Sequence, residues 1–218
     1  DFEDVRDHYF KVLFGLDPVR LRWFDTPRYL ALSRVATGEL MGQVYSEWRS
    51  VNSRCGGALV WFLRDLWPGA GWGILDSHGV PKACYYYLRR AWQPQAVLLT
   101  DEGLDGMQAH VINETDSPLS AVLELQLLQG GRVVIAKARV DCEIPPRSKA
   151  HFASDALLDG FYDVSYAYRF GPPKHDVVVA SLFGADGSVI SESFRFSEPY
   201  QPAQGAGSGV VAVAEPLD

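Results

Sequence analysis

Three cysteines in 218 residues, Cys55, Cys84 and Cys142, are few, odd in number and widely spaced. They make no Cys-x-x-Cys pair and no disulfide framework, which points to a reducing compartment, read here as cytoplasmic. Apolar runs are short. None approaches the about 20 residues that a membrane helix needs, so no membrane partner is expected. Basic charge is not in excess: 20 Lys and Arg stand against 27 Asp and Glu, a net charge of −7, so nucleic acid is not an expected partner. No Gly-rich phosphate loop occurs, and His8, His110, His151 and His175 show no metal-ligand spacing. No cofactor and no metal are expected. The chain opens Asp-Phe-Glu-Asp, with neither Met nor a secretory leader, as a piece cut from a longer chain would.

Tryptophan is absent from the second half. All six Trp lie at or before Trp92. Charge shifts at the same place: residues 1–95 carry 12 basic and 10 acidic side chains, residues 96–218 carry 8 and 17. Together these put a boundary near Pro94.

Before it, the pattern is helical. Val5, Tyr9, Val12 and Leu13 follow Phe2 at helical spacing, and Gly15 ends the run. Asp17-Pro18 and Thr26-Pro27 are helix starts. Tyr29, Leu32, Val35, Ala36, Leu40, Val44, Trp48 and Val51 then mark one long face that should end near Asn52. Residues 57–63, Gly-Ala-Leu-Val-Trp-Phe-Leu, are apolar without alternation, as in a strand covered on both faces. A loop rich in Gly, Pro and Trp follows, then a helix over 81–92. Helix, buried strand, rich loop and helix match one repeat of a β/α barrel, with the loop at the strand's C-terminal end.

After Pro94 the period is two. Candidate strands are Met107–Ile112, Ala121–Gln129, Arg132–Ile144, Lys149–Ala153, Phe161–Phe170, Val177–Gly184 and Val189–Ser197. Their number and spacing argue for an immunoglobulin-like antiparallel β-sandwich. The expected class is therefore α/β plus all-β: the last part of a (β/α)8 barrel over residues 1–95, then a sandwich over 96–197. Residues 198–218 read as a linker and the start of a further sandwich at Val210.

The chemistry-bearing stretch is the aromatic loop. Flat rings beside a carboxylate suit a sugar, whose C–H faces stack and whose hydroxyls need partners. Trp61 either lies under a sugar ring or fills a core. Arg64 and Asp65 either meet sugar hydroxyls or shape the loop. Trp67 and Trp72 either wall a pocket or pack the loop down. Asp76 and His78 fit a turn better than a catalytic pair. Tyr85, Tyr86 and Tyr87 point three ways around a helix, and Asn113-Glu-Thr reads as a turn rather than a glycan acceptor.

Residues 54–92 resemble the end of the catalytic barrel in family 2 glycoside hydrolases, and among them the β-mannosidases. The resemblance rests on Gly57-Ala-Leu, Trp61, Leu63, Asp65, Trp67-Pro68, Trp72, Asp76, Gly79, Pro81-Lys82 and Tyr85-Tyr86. Arg64 departs from it, since the family often has Asn there. The resemblance implies a parent that removes terminal β-mannose with retention, using two glutamates from earlier strands. Neither glutamate motif is found here, so no catalytic residue is assigned. Trp61, Arg64, Asp65, Trp67 and Trp72 are the expected substrate-binding residues. The expected partners are a β-mannoside or related oligosaccharide and the remaining domains of the parent. Another sugar in the same family, or a non-catalytic carbohydrate-binding or structural module, are the alternatives.

Overall fold

A computed structural model of the chain describes residues 2–197, 199 and 200. The expected linker and further strand, residues 198–218, fall almost wholly outside the described residues.

Three helices open the chain: α1 (Phe2–Phe14), α2 (Pro18–Phe24) and α3 (Thr26–Arg49). Gly15 adopts φ 62° and ends α1. The Asp17 carboxylate caps α2 by accepting from the Val19 and Arg20 amides, and Asp25 caps α3 through the Arg28 amide. Phe10, Leu13 and Phe14 of α1 pack on Tyr29, Leu32 and Ala36 of α3. The buried face of α3 then drifts. Val44 and Trp48, expected on it, are about two-fifths exposed, while Tyr45 is buried against α4 (Ala83–Ala91). Gly38 explains the shift, because a Cβ there would lie 2.3 Å from the Tyr87 ring. The two helices approach closely only because that side chain is missing. Tyr87 sits in this contact, Tyr85 packs beside it and Tyr86 faces solvent.

The sandwich begins at Gln95. Its smaller sheet runs β1 (Gln95–Asp101), β2 (Met107–Asn113) and β5 (Ser148–Ala153), in the order β1-β2-β5. Its larger sheet runs β3 (Leu119–Gln129), β4 (Val133–Ile144), β6 (Val177–Gly184) and β7 (Val189–Phe196), in the order β4-β3-β6-β7. All pairings are antiparallel. Val97, Leu99, Ala109 and Val111 from one sheet meet Leu123, Leu125, Leu127, Val178 and Leu182 from the other in one apolar core. The edge strand β4 alternates cleanly. Lys137, Arg139, Asp141 and Glu143 face solvent between more buried neighbours.

Two expectations fail here. Phe161–Phe170 is not a strand. After the short helix α5 (Ser154–Leu157) the chain runs through turns to β6, with Tyr166 and Arg169 at positive φ. The Asp163 carboxylate accepts from the Tyr168 and Arg169 amides and holds that loop. The alternating Tyr166, Tyr168 and Phe170 mimicked a strand period. In turn, β1 was not anticipated. Ala96 and Leu98 on one face are buried as deeply as Val97 and Leu99 on the other, so the strand shows no alternation.

The helical part is fastened to the sandwich by polar contacts. Arg49 donates to the Ala91 and Gln93 carbonyls and pairs with Glu114 at 2.9 Å. Lys149 donates to the Arg49 and Ser50 carbonyls. The Val97 and Leu99 amides of β1 donate to the Ser191 and Ser193 hydroxyls of β7, each at 3.2 Å. Asn113 is fully buried. Its amide nitrogen donates to the Ser117, Ile144 and Pro145 carbonyls, so it serves a turn and is closed to a glycan.

Candidate functional site

The aromatic loop occupies residues 54–82. Residues 57–63 are not a buried strand among the described residues. They run without a sheet partner, and Leu59 is 98% exposed. A strand covered on both faces needs neighbours on both edges, and the described residues supply none. Farther on the chain knits itself together. The Ile74 and Leu75 amides donate to the Phe62 and Leu63 carbonyls, and the Asp65 amide donates to the Leu75 carbonyl. Arg64 and Leu75 form a parallel bridge, and Leu75 and Pro81 an antiparallel one. The Trp61–Phe62 peptide is cis.

Asp65 sits at the centre of this knot and is only 5% exposed. One carboxylate oxygen accepts from the Gly73 amide at 2.7 Å. The other lies 2.5 Å from the Lys82 ammonium, which also donates to the Gly71 carbonyl at 3.0 Å. The Lys82 hydrogen bond, with help from the Gly73 amide, holds the Asp65 carboxyl below the usual range against the opposing effect of burial. Gly71 and Gly73 are required by contact. A Cβ would lie 2.2 Å from an Asp65 oxygen at the first and 2.5 Å from the Asp65 backbone nitrogen at the second.

Arg64 is also engaged, its guanidinium donating twice to the Ser77 carbonyl. Asp76 accepts from the His78 and Val80 amides and makes the expected turn. By contrast the three loop tryptophans face outward: Trp61 is 78%, Trp67 71% and Trp72 64% exposed. The structure thus separates two sets. Asp65 spends its carboxylate inside the loop and the exposed Arg64 braces it through Nε and Nη2, while the rings stand on its surface. Lys82, quoted in the motif without a role, is the residue that sequence reasoning missed. Its ion pair joins positions seventeen apart in the chain and leaves no local pattern.

A concavity of about 860 Å³ lies between the end of α3, residues 55–60 and the sandwich. Tyr45, Trp48, Trp92, Asn113, Arg147 and Lys149 are among its walls, and none of Trp61, Trp67 and Trp72 is. It was not anticipated, since its walls come from six separate stretches of chain. Among the described residues no group of His, Cys, Asp and Glu is arranged to hold a metal ion. No helix among them is long and apolar enough to cross a membrane.

No protein-family profile matches the chain. Individual proteins do. Beta-mannosidase B of Aspergillus flavus is 36% identical over 195 residues, covering 81% of this chain and 22% of the relative. Beta-mannosidase B of Aspergillus niger is 28% identical over 195 residues, with the same shares. Of solved structures, a β-D-mannosidase from Dictyoglomus thermophilum superposes with a TM-score of 0.66 at 20% identity, over 89% of this chain and 22% of that one. The Amycolatopsis orientalis exo-chitosanase CsxA gives 0.58 at 14% identity, over 77% and 19%. The fold is therefore one found in glycosidases, with a mostly antiparallel β-sandwich following helices. The similarities support a partial, β-mannosidase-like chain of glycoside hydrolase family 2. The chain spans about a fifth of the length of the curated relatives it matches.

Proposed function

We propose that this chain is the end of the catalytic barrel, with the sandwich that follows it, of a retaining exo-glycosidase acting on terminal β-mannose. Residues 1–95 complete the barrel, residues 96–197 are the sandwich, and residues 198–218 lead into a further domain. The parent is taken to be cytoplasmic, in keeping with three unpaired cysteines. The chain supplies a sugar-facing wall, and the parent supplies the two glutamates elsewhere. A retaining mechanism needs two carboxylates about 5 Å apart, one as nucleophile and one as acid and base.

The observation that carries this reading is the division of labour in the loop. Trp61, Trp67 and Trp72 present exposed rings from a backbone that Asp65, Lys82 and Arg64 hold in place. Rings offer stacking faces to the C–H side of a hexose. Asp65 and Arg64 contribute to substrate binding through the shape they impose. The bare apolar edge at Leu59, Leu63 and Leu66 is what a neighbouring barrel strand would cover.

The test is Trp61→Ala in the full-length enzyme with an aryl β-mannoside. A drop in kcat/KM of at least about tenfold supports the wall. Unchanged kinetics refute it, and hydrolysis by the isolated chain would refute the assignment of chemistry to the rest of the parent. A family 2 enzyme for another sugar is the second reading. A uronic acid would call for a guanidinium, and the exposed Arg64 turns only its Nε and Nη2 to the Ser77 carbonyl. Comparing aryl mannoside, galactoside, glucuronide and glucosaminide on the parent separates these.

A further inference from the structure

We infer that the His110 imidazole is an acid-released clasp between the sandwich and the segment that follows α3. His110 lies on β2 and is fully buried. Its Nδ1 is 3.3 Å from the Val51 amide, two residues beyond the end of α3. Its Nε2 is 2.8 Å from the Thr100 hydroxyl on β1, which donates in turn to Glu102 at 2.7 Å. These partners assign the tautomer. A backbone amide only donates, so Nδ1 carries the lone pair, and Nε2–H donates to Thr100.

Protonation removes that lone pair. Two N–H groups would then face each other across the contact, and the bond to Val51 is lost. The surroundings decide how readily this happens. On β5, His151 is the register partner of His110, with ring centroids 6.4 Å apart, and Lys149 is close by. Both disfavour an imidazolium at His110. Glu102 beyond β1 favours it. Glu47 on α3 senses Glu102 and Asp101, and Arg49 on the same turn is held by Glu114. Burial outweighs the rest and pushes the His110 pKa down to about 4.

The sign follows. A histidine kept neutral in the closed state takes up a proton on release. Closure is therefore complete above the ordinary histidine range and weakens as the pH falls toward 4. What is released is the junction to the segment bearing Trp61. Lys149 holds the Arg49 and Ser50 carbonyls on one side of it, and His110 holds the Val51 amide on the other. The clasp stands independently of the glycosidase reading.

Amide hydrogen exchange of the 218-residue chain, followed by NMR, tests it. Between pH 6.5 and pH 4 the protection of the Val51 amide, corrected for intrinsic exchange, should fall on the order of a hundredfold. The fall should begin in the ordinary histidine range, well above the pH at which the His110 ring itself titrates, while core amides such as Leu125 stay protected. His110→Asn offers a carboxamide oxygen in place of Nδ1 and cannot titrate, so it should keep Val51 protected at both pH values. Constant protection in the unaltered chain overturns the clasp. So does loss of Val51 and Leu125 protection together, or the same loss in the Asn variant. If that variant does not fold, the unaltered chain decides alone: Val51 protection that falls from the ordinary histidine range down to the His110 ring titration, with Leu125 constant, supports the clasp, and Val51 protection flat across that window overturns it.

Discussion

The Asp65 carboxylate lies 2.5 Å from the Lys82 ammonium and 2.7 Å from the Gly73 amide, so one buried charge fixes both arms of the aromatic loop. Asp65→Asn keeps the shape and removes the charge. The Gly73 amide should then exchange about tenfold faster, with sandwich amides unchanged. Because the Asp65 carboxyl is held below its usual range, its support for the loop is present above the ordinary carboxylate range and lost as the pH falls through its lowered value. Equal exchange in both proteins would deny Asp65 its bracing role.

Gly38 and Tyr87 make a second test. Gly38→Ala should destabilise the helical part by about 1–3 kcal/mol through overpacking against the Tyr87 ring. In a Tyr87→Ala background the added methyl has room, so most of that loss should vanish. Denaturant unfolding of the four proteins in a double-mutant cycle measures the coupling.

Leu123 lies at the centre of the sandwich core and is fully buried. Leu123→Ala should destabilise by about 2–5 kcal/mol, read from the denaturation midpoint at unchanged slope. A loss under 1 kcal/mol would mean that the two sheets do not share this core.

Glu124 shows what acid does to the outer face of the larger sheet. Burial raises its pKa, but hydrogen bonds from Lys137 and Gln126, aided by Arg139, more than offset this and leave the pKa lowered. Its stabilising share is therefore present above the ordinary glutamate range and lost as the pH falls through its lowered value. Glu124→Gln should flatten that part of the stability–pH curve, and an unchanged curve would assign the acid sensitivity elsewhere.

Leu59 and Leu66 are almost fully exposed beside Trp61 and Trp67. The isolated chain should bind a hydrophobic dye and self-associate in a concentration-dependent way. Leu59→Ser with Leu66→Ser should reduce both, as size-exclusion chromatography and dye fluorescence would register.

Legibility from sequence followed how local each signal was. The helix starts at Asp17-Pro18 and Thr26-Pro27 could be read because a cap and a proline act within one turn. The strands β3, β4, β5 and β7 could be read because one face of each is more buried than the other. β1 could not, since helices cover one face and the second sheet the other, and its sequence carries no period. Tyr166, Tyr168 and Phe170 had the period without the ladder. In the loop, the rings were visible as a composition. The partners of Arg64 and Asp65 were not, because the Ser77 carbonyl and the Lys82 ammonium reach them only after the chain has doubled back.

The serines of β7 give β1 an unusual mechanical position. The strand leaves α4 within a few residues and is at once laced to β2 along one side and to Ser191 and Ser193 along the other. Tension on the helical part therefore meets the β1–β2 ladder and two serine bonds, with no slack tether between the units. A pull that separates the units must strip β1 out of the sandwich as well as break the Arg49, Lys149 and Val51 contacts. The joint thus behaves as a rivet set into the sandwich.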